Sequence, residues 1–417
     1  MKKKTAKSLI LSFAAAALFS CTSVNSVQDE HFDSDGYCLD SVGKTFHMVD
    51  PLEVKFFVEV SGSMNGFFRQ NQPTDFKEDL WRILKYYSPI SRGVTILTNE
   101  GDQGKQYDMD SFKSNMNTGA FVSTASTKVP TMLESIFAGL DARRGEVAVL
   151  VSDMKYSPVG DKAPDVLMRQ YSTDVASILG KYDLAVSLIG AKSNCYDKKG
   201  NVQCLESPYY YVILGTDSVV AKMRNGISTF LENEGRLVDN IDSGMDFGAP
   251  SASFGKTFAC EQLLDEPTFV NYEEADELDT CTIEMKVSLE NYRWIIVDSE
   301  LFKESFKIVP LYGSKVKIDE ISMDVKNISS NKQLERTATA NVKIKVFDMP
   351  LDADVLEWSL KLPDLDITNF YPYFDNAFDE NDPTKSFSVK SFVEGMFYGG
   401  VVNKDPMKKY ILISKHQ

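Results

Sequence analysis

The chain has 417 residues, 43% of them apolar, and carries 60 Asp and Glu against 45 Lys and Arg, a formal net charge of −15. That length exceeds one ordinary hydrophobic core, so two domains are expected. The acidic balance lacks the basic footprint that phosphate backbones require, which excludes nucleic acid as a partner class.

In chain order, Lys2, Lys3, Lys4 and Lys7 precede an apolar run of 11 residues from Leu9 to Phe19. A membrane span needs about 20 apolar residues, so residues 1–20 read as a signal peptide. The following "LFSC" sets Cys21 directly after small Ser20 and resembles the lipobox of bacterial lipoproteins. The resemblance implies cleavage before Cys21, which would then carry the lipid, a palmitate-type chain. It also implies a cell outer membrane address, at the periplasmic face or the cell surface. The alternative is an ordinary secretory signal with an incidental cysteine. Removing residues 1–20 takes away four lysines and moves the formal charge from −15 to −19. Residues 21–50, polar and acidic through "TSVNSVQDEHFDSDG", read as a lipidated tether.

Export permits disulfides among the other cysteines. Cys195 and Cys204 flank "YDKKGNVQ", where a bridge would close a short hairpin. Cys260 and Cys281 are the next plausible pair, and Cys38 is left over. Spacing alone does not fix this connectivity.

From residue 54 onward apolar strands alternate with helical patterns. Val54 to Val60 is a strand, and "TDFKEDLWRILKYY" aligns Phe76, Leu80, Ile83, Leu84 and Tyr87 on one helical stripe, with Asp75 and Glu78 as a capping box. "GVTILT" is a strand, followed by a long polar loop. Leu133, Ile136, Phe137 and Leu140 then recur at helical spacing. "EVAVLVSD" is apolar enough to be covered on both faces. A helix beginning near Pro164 turns Leu167, Tyr171, Val175 and Ile178 inward. "LAVSLIG" and "YYYVILG" are strands, and a helix runs from about Ser218 to Leu231. The alternation predicts an α/β domain over 51–235 with a doubly wound, mostly parallel sheet. Residues 236–264, rich in Gly, Ser, Asp and Asn, read as a linker. Period-two stretches from "TIEMKVSL" to "LEWSLKL" predict an all-β, sandwich-like domain over 265–417.

In open α/β sheets ligands sit beyond the carboxyl ends of the strands. Glu59, Ser61 and Ser63 end the first strand and Asp153 ends the "VAVLVSD" strand, so this rim is rich in oxygen. "EVSGS" followed by Met64 resembles the Asp-x-Ser-x-Ser motif of von Willebrand factor A (VWA) domains, and "VAVLVSDM" resembles their apolar strand ending in Thr/Ser-Asp-Gly. Such domains place a threonine ahead of a helix, with apolar residues two and six positions on. Thr127 fits through Val129 and Leu133, with Thr131 and Thr124 as further candidates. The resemblance covers roughly residues 52–235. It implies a metal-ion-dependent adhesion site with Ser61, Ser63 and Thr127 as hydroxyl ligands of Mg2+ or Mn2+. Glu59 and Asp153 would act mostly through water. A carboxylate from a protein partner would complete the shell, which implies adhesion or protein binding. Two positions depart from the pattern: Glu59 stands for Asp, and Met154 for glycine.

"GFF" at Gly66, Phe67 and Phe68 either offers a contact to a partner or covers the top of the sheet. The cluster Asp375, Asp379, Glu380 and Asp382 lacks the order of a calcium loop and reads as a solvated acidic loop. Three histidines form no zinc pattern, and Ser61-Gly62-Ser63 is no phosphate loop. Catalysis finds little support, and the chain is read as a non-enzyme. The alternatives are a metal-free scaffold subunit of an envelope complex, or a hydrolase using Glu59 and Asp153 as an acid pair.

Overall fold

Strand β1 (Glu53–Glu59) completely buries Val54, Phe56 and Val58 while Lys55 and Phe57 stay partly covered, the period of two that a pleated strand imposes. The computed structural model describes residues 48–100, 103–123, 129–155, 164–182, 184–244, 250–254, 261–262, 269–273, 280–290, 292, 296, 298–330, 332–349, 353–363, 366–375, 382–399 and 407–416. Helix α1 (Asp75–Tyr87) buries the expected stripe of Phe76, Leu80, Ile83, Leu84 and Tyr87. Its cap lies one residue earlier than the Asp75 box: the Thr74 hydroxyl accepts from Lys77 N at 3.2 Å. Next come β2 (Val94–Glu100), β3 (Gln103–Tyr107) and α2 (Met109–Thr118), the last two inside the stretch expected to be loop. Asp108 caps α2 by accepting from Ser111 N at 2.8 Å, and Gly119 ends it at φ 76°.

Helix α3 (Val129–Ala138), β4 (Glu146–Ser152), α4 (Pro164–Tyr182), β5 (Ala185–Tyr196), β6 (Val202–Gly215), α5 (Asp217–Asn233) and β7 (Leu237–Ser243) complete the first sheet and its helices. Strand β7 lies within the stretch read as linker. The seven strands run in the order β3-β2-β1-β4-β6-β5-β7. Only β1 pairs in parallel, with β2 and β4, and the remaining ladders are antiparallel. The sheet is therefore mixed rather than mostly parallel. The physical reason lies between β5 and β6, where the Asp197–Asn201 turn is too short for the dozen or more residues of a parallel return. Strand β6 folds back and enters the sheet between β4 and β5.

Central strands are buried on both faces. Val147, Val149 and Val151 of β4 join one apolar cluster with α1 and α5, and Ala148 and Leu150 join another with α3 and α4. Phe67 and Phe68 belong to the first cluster, packed edge-on against Phe76, Tyr209 and Phe121. "GFF" is thus a lid over the sheet and not an exposed contact.

The rest of the chain adds β8 (Ala252–Phe254), β9 (Glu261–Gln262), β10 (Phe269–Glu273), β11 (Thr280–Ser288), α6 (Ser299–Ser305), β12 (Phe306–Pro310), β13 (Lys315–Ser329), β14 (Leu334–Phe347), β15 (Ala353–Leu360), α7 (Val389–Gly399) and β16 (Met407–His416). These strands form two sheets, β13-β14-β11-β8 and β12-β15-β16-β10-β9, antiparallel except where β10 meets β16. Met285, Trp358 and Ile411 from both sheets share a cluster with β1, α1 and α5. Residues 366–375 and 382–399 return to the first sheet instead: Phe370, Phe374, Phe392 and Met396 pack with α3, α4 and β6. This return brings a late segment of the chain to the rim.

Candidate functional site

The parallel β1–β4 register pairs Val58 with Val151, so the residues that follow these two emerge side by side at the same edge. Glu59, Ser61 and Asp153 are each 1% exposed, and Ser152 is fully buried. Ser63 lies on the surface at the start of the 3-10 turn Ser63–Gly66. A chain of contacts links them. Ser61 Oγ lies 3.0 Å from Ser63 Oγ, and Ser63 Oγ donates to Asp153 Oδ1 at 3.1 Å. Asp153 Oδ1 also accepts from Lys155 N at 3.1 Å. The Ser152 hydroxyl donates to Glu59 Oε2 and accepts from Met154 N at 2.8 Å. Ser61, Ser63 and Asp153 are thus joined by side-chain contacts, while Glu59 is held beside them through Ser152.

Burial pushes the Asp153 carboxyl up, against the pull of Lys155 and of the bonds from Lys155 N and Ser63. Its second oxygen, Oδ2, is buried and has no hydrogen-bond partner among the described residues. No described Lys, Arg or His forms an ion pair with Asp153, and the Lys155 ammonium goes to Asp382 O at 2.7 Å. A carboxylate enclosed this way needs a counter-charge or a proton.

Met154 occupies the left-handed region at φ 54° and is completely buried. The backbone thus takes the turn that a glycine makes without strain, at a cost to methionine of about 1–2 kcal/mol. Its side chain offsets that cost by packing with α3 and α4. The departure from glycine changes the side chain and keeps the turn.

Asn65 fastens the neighbouring loop, donating to Ser123 O at 2.7 Å and accepting from Ser123 N at 2.8 Å. Thr124 and Thr127 lie outside the described residues. Val129 and Leu133, two and six positions after Thr127, are both buried on α3. Thr131 is exposed on the same helix. Cys21, Cys38 and Cys260 also lie outside the described residues, as does the side chain of Cys281, so that pairing is untouched. Cys195 and Cys204 stand opposite each other in the β5–β6 register, both as free thiols.

Four partners of this rim had no signal in the sequence. Ser386 Oγ donates to Asp153 O at 2.8 Å, and Ser388 Oγ donates to Met154 O at 2.7 Å. Ser207 Oγ donates to Pro383 O at 2.5 Å, and Lys155 reaches Asp382 as above. Residues 382–388 form a strap across the end of β4. Asp382 belongs to the stretch read as a solvated acidic loop, and its carboxylate accepts from Thr384 N at 2.8 Å. Ser152, by contrast, was visible as the one hydroxyl in an apolar run.

Among the described residues no three or more His, Cys, Asp and Glu side chains converge, so a cation here would rest on hydroxyls as well as carboxylates. Comparison with protein-family models, curated proteins and solved structures finds no match for this chain.

Proposed function

We propose that the rim formed by Glu59, Ser61, Ser63 and Asp153 is a divalent-cation site through which a VWA-like domain binds a protein partner. The observation that carries this reading is the buried Asp153 Oδ2, which has no described hydrogen-bond partner, beside two serine hydroxyls, one of them open to solvent. Hard oxygen donors of this kind fit Mg2+ or Mn2+, which keep several waters and take few protein ligands. Ser61 and Ser63 would hold the ion directly, with Thr127 as the third hydroxyl, while Asp153 and Glu59 supply outer negative charge. When bound, the ion would offer one coordination position to a partner's carboxylate. The two later sheets are read as a sandwich that the α/β domain carries.

A second reading, a metal-free scaffold, draws on the Ser152 to Glu59 bond, which satisfies one carboxylate oxygen from within the chain. Calorimetric titration with Mg2+ and Mn2+ separates the two. Wild type is expected to bind, Ser61→Ala to bind about 10–100-fold more weakly, and Glu59→Asp to bind at least as tightly. Heat that stays at the dilution level in all three leaves only the scaffold.

The membrane tether through Cys21 is part of the same proposal. None of the described helices is long and apolar enough to cross a bilayer, so this anchor rests on the "LFSC" motif alone. Fatty-acid labelling is expected in wild type and lost in Cys21→Ser, and label retained in that variant would refute the anchor.

A further inference from the structure

Strand β5 runs past the edge of the sheet and lies against the motif loop. Its residue Asn194 accepts from Asp75 N at 2.9 Å through Oδ1 and donates to Pro73 O at 3.1 Å through Nδ2, while Ser193 Oγ accepts from Phe76 N at 2.9 Å. The first turn of α1 is therefore capped partly from the β5–β6 arm. Gly66 is pressed against the same arm: a Cβ there would lie 3.2 Å from Tyr196 O and 3.3 Å from Cys195 Cβ. The far end of the arm meets the loop as well, since a Cβ on Gly200 would lie 3.1 Å from Gln72 Nε2. Gly66, Gln72 and Pro73, on the path from the motif serines to α1, therefore lie against this arm, while Asn65 is tied to Ser123 and Asn71 N donates to Asn117 O.

The β5–β6 ladder is irregular where the arm touches Gly66. Its register shifts on both sides of Cys195, from Ser193 opposite Ser207, to Cys195 opposite Cys204, to Tyr196 opposite Val202. Bulges of this kind interrupt the ladder and leave residues unpaired. The two cysteines sit directly opposite each other at this defect. Facing residues of an antiparallel ladder have Cα atoms about 4.5–5.5 Å apart, inside the range that a disulfide bridges.

We propose that Cys195 and Cys204 are a disulfide-forming pair whose closure clamps the β5–β6 arm onto residues 61–74. Cys204, half-buried, is the entry thiol, and Cys195, buried, is the resolving one. The Cys204 thiolate attacks one sulfur of a small disulfide such as oxidised glutathione, forming a mixed disulfide and releasing one glutathione thiolate. The Cys195 thiolate then attacks Cys204 Sγ, and the second glutathione leaves. Two protein thiols lose two protons and two electrons, and one glutathione disulfide becomes two thiols. Burial raises the Cys195 thiol, which leaves the half-buried Cys204 as the thiol that meets the oxidant first. Any effect of the clamp on cation affinity rests on the reading above, whereas the clamp itself does not.

The test omits metal, so its outcome is independent of the cation titration. Reduced full-length protein is treated with oxidised glutathione, mapped by digestion without reduction, and compared with its reduced form by hydrogen–deuterium exchange. Peptides holding Cys195 and Cys204 are expected to be joined. Exchange across 61–74 is expected to slow about 10-fold or more in the disulfide form, with α4 unchanged. The Cys195→Ala/Cys204→Ala variant, if it folds, is expected to match the reduced form whatever oxidant is added. Thiols that remain open to alkylation after excess oxidised glutathione would overturn the pairing. Equal exchange of 61–74 in both forms would overturn the clamp.

Discussion

Arg236→Ala is expected to cost about 1 kcal/mol at pH 5 and about 3–5 kcal/mol at pH 9, because what it removes is the counter-charge of a fully buried carboxylate. Asp79 of α1 is completely buried. Its Oδ2 accepts from Tyr209 OH at 2.7 Å, and its Oδ1 accepts from Arg236, which also lies 3.2 Å from Asp75. Burial lifts the Asp79 carboxyl to about 7, outweighing the downward pull of Tyr209 and Arg236. The folded protein then holds a proton that the unfolded chain, titrating near 3.8, has released. Stability from Asp79 is therefore fully present below pH 4, falls as pH rises toward 7, and is gone above it. Without Arg236 the folded carboxyl moves higher still, so the decline continues past pH 7. The difference between variant and wild type must grow with pH. Urea denaturation of both at pH 5, 7 and 9 measures it, and a cost independent of pH would remove Asp79 as its origin.

Local pattern carried most of the first sheet and its helices. The stripe of α1, the doubly buried β4 and the start of α4 at Pro164 all follow from spacing, because each packs its apolar face on the nearest strand. The motif rim was legible for the same reason: Glu59, Ser61 and Asp153 end strands that neighbour each other. Polar elements were harder. Strand β3 and helix α2 bury few side chains, and their signals were the Asp108 cap and the Gly119 stop rather than any apolar period. Strand β7 hid behind Gly, Ser and Asp residues, and what holds it is the ladder to β5 together with the buried pair of Arg224 with Asp242. Sheet direction was readable in principle, since the turn between β5 and β6 leaves no room for a crossover.

What no local pattern could supply is the origin of the strap. Ser386 and Ser388 reach Asp153 and Met154 across more than 230 residues of sequence, and nothing near them marks a partner. They come to the rim because α7 carries an apolar face, Val389, Phe392, Val393 and Met396, that is completed only against α3, α4 and β6. Hydrophobic burial thus decides where the late segment goes, and the serine hydroxyls satisfy the carbonyls it covers.

That dependence makes Gly395→Val the sharper probe of the rim. Helix α7 crosses α4 at Gly395, where a Cβ would lie 2.7 Å from Val175 Cβ and Cγ1 and 2.8 Å from Ser172 O. A main-chain carbonyl cannot turn aside as a flexible side chain can, so the helix itself must move. Overpacking of this kind costs about 1–3 kcal/mol, and the branched valine belongs at the upper end. The displacement acts on the strap directly, because Phe392 N donates to Ser388 O at 2.9 Å and Ser388 N donates to Met154 O at 3.1 Å. Lower thermal stability should therefore come with faster hydrogen exchange at 153–155, far in sequence from the substitution. Gly139→Ala serves as the control, since its Cβ would meet only Ser135 O at 3.5 Å and Ile136 O at 3.9 Å, ordinary contacts. If Gly395→Val melts with the control and leaves exchange at 153–155 unchanged, α7 does not hold the strap. If it melts early but 153–155 stay protected, the strap is held by Ser207 and Lys155, and the helix contributes stability alone.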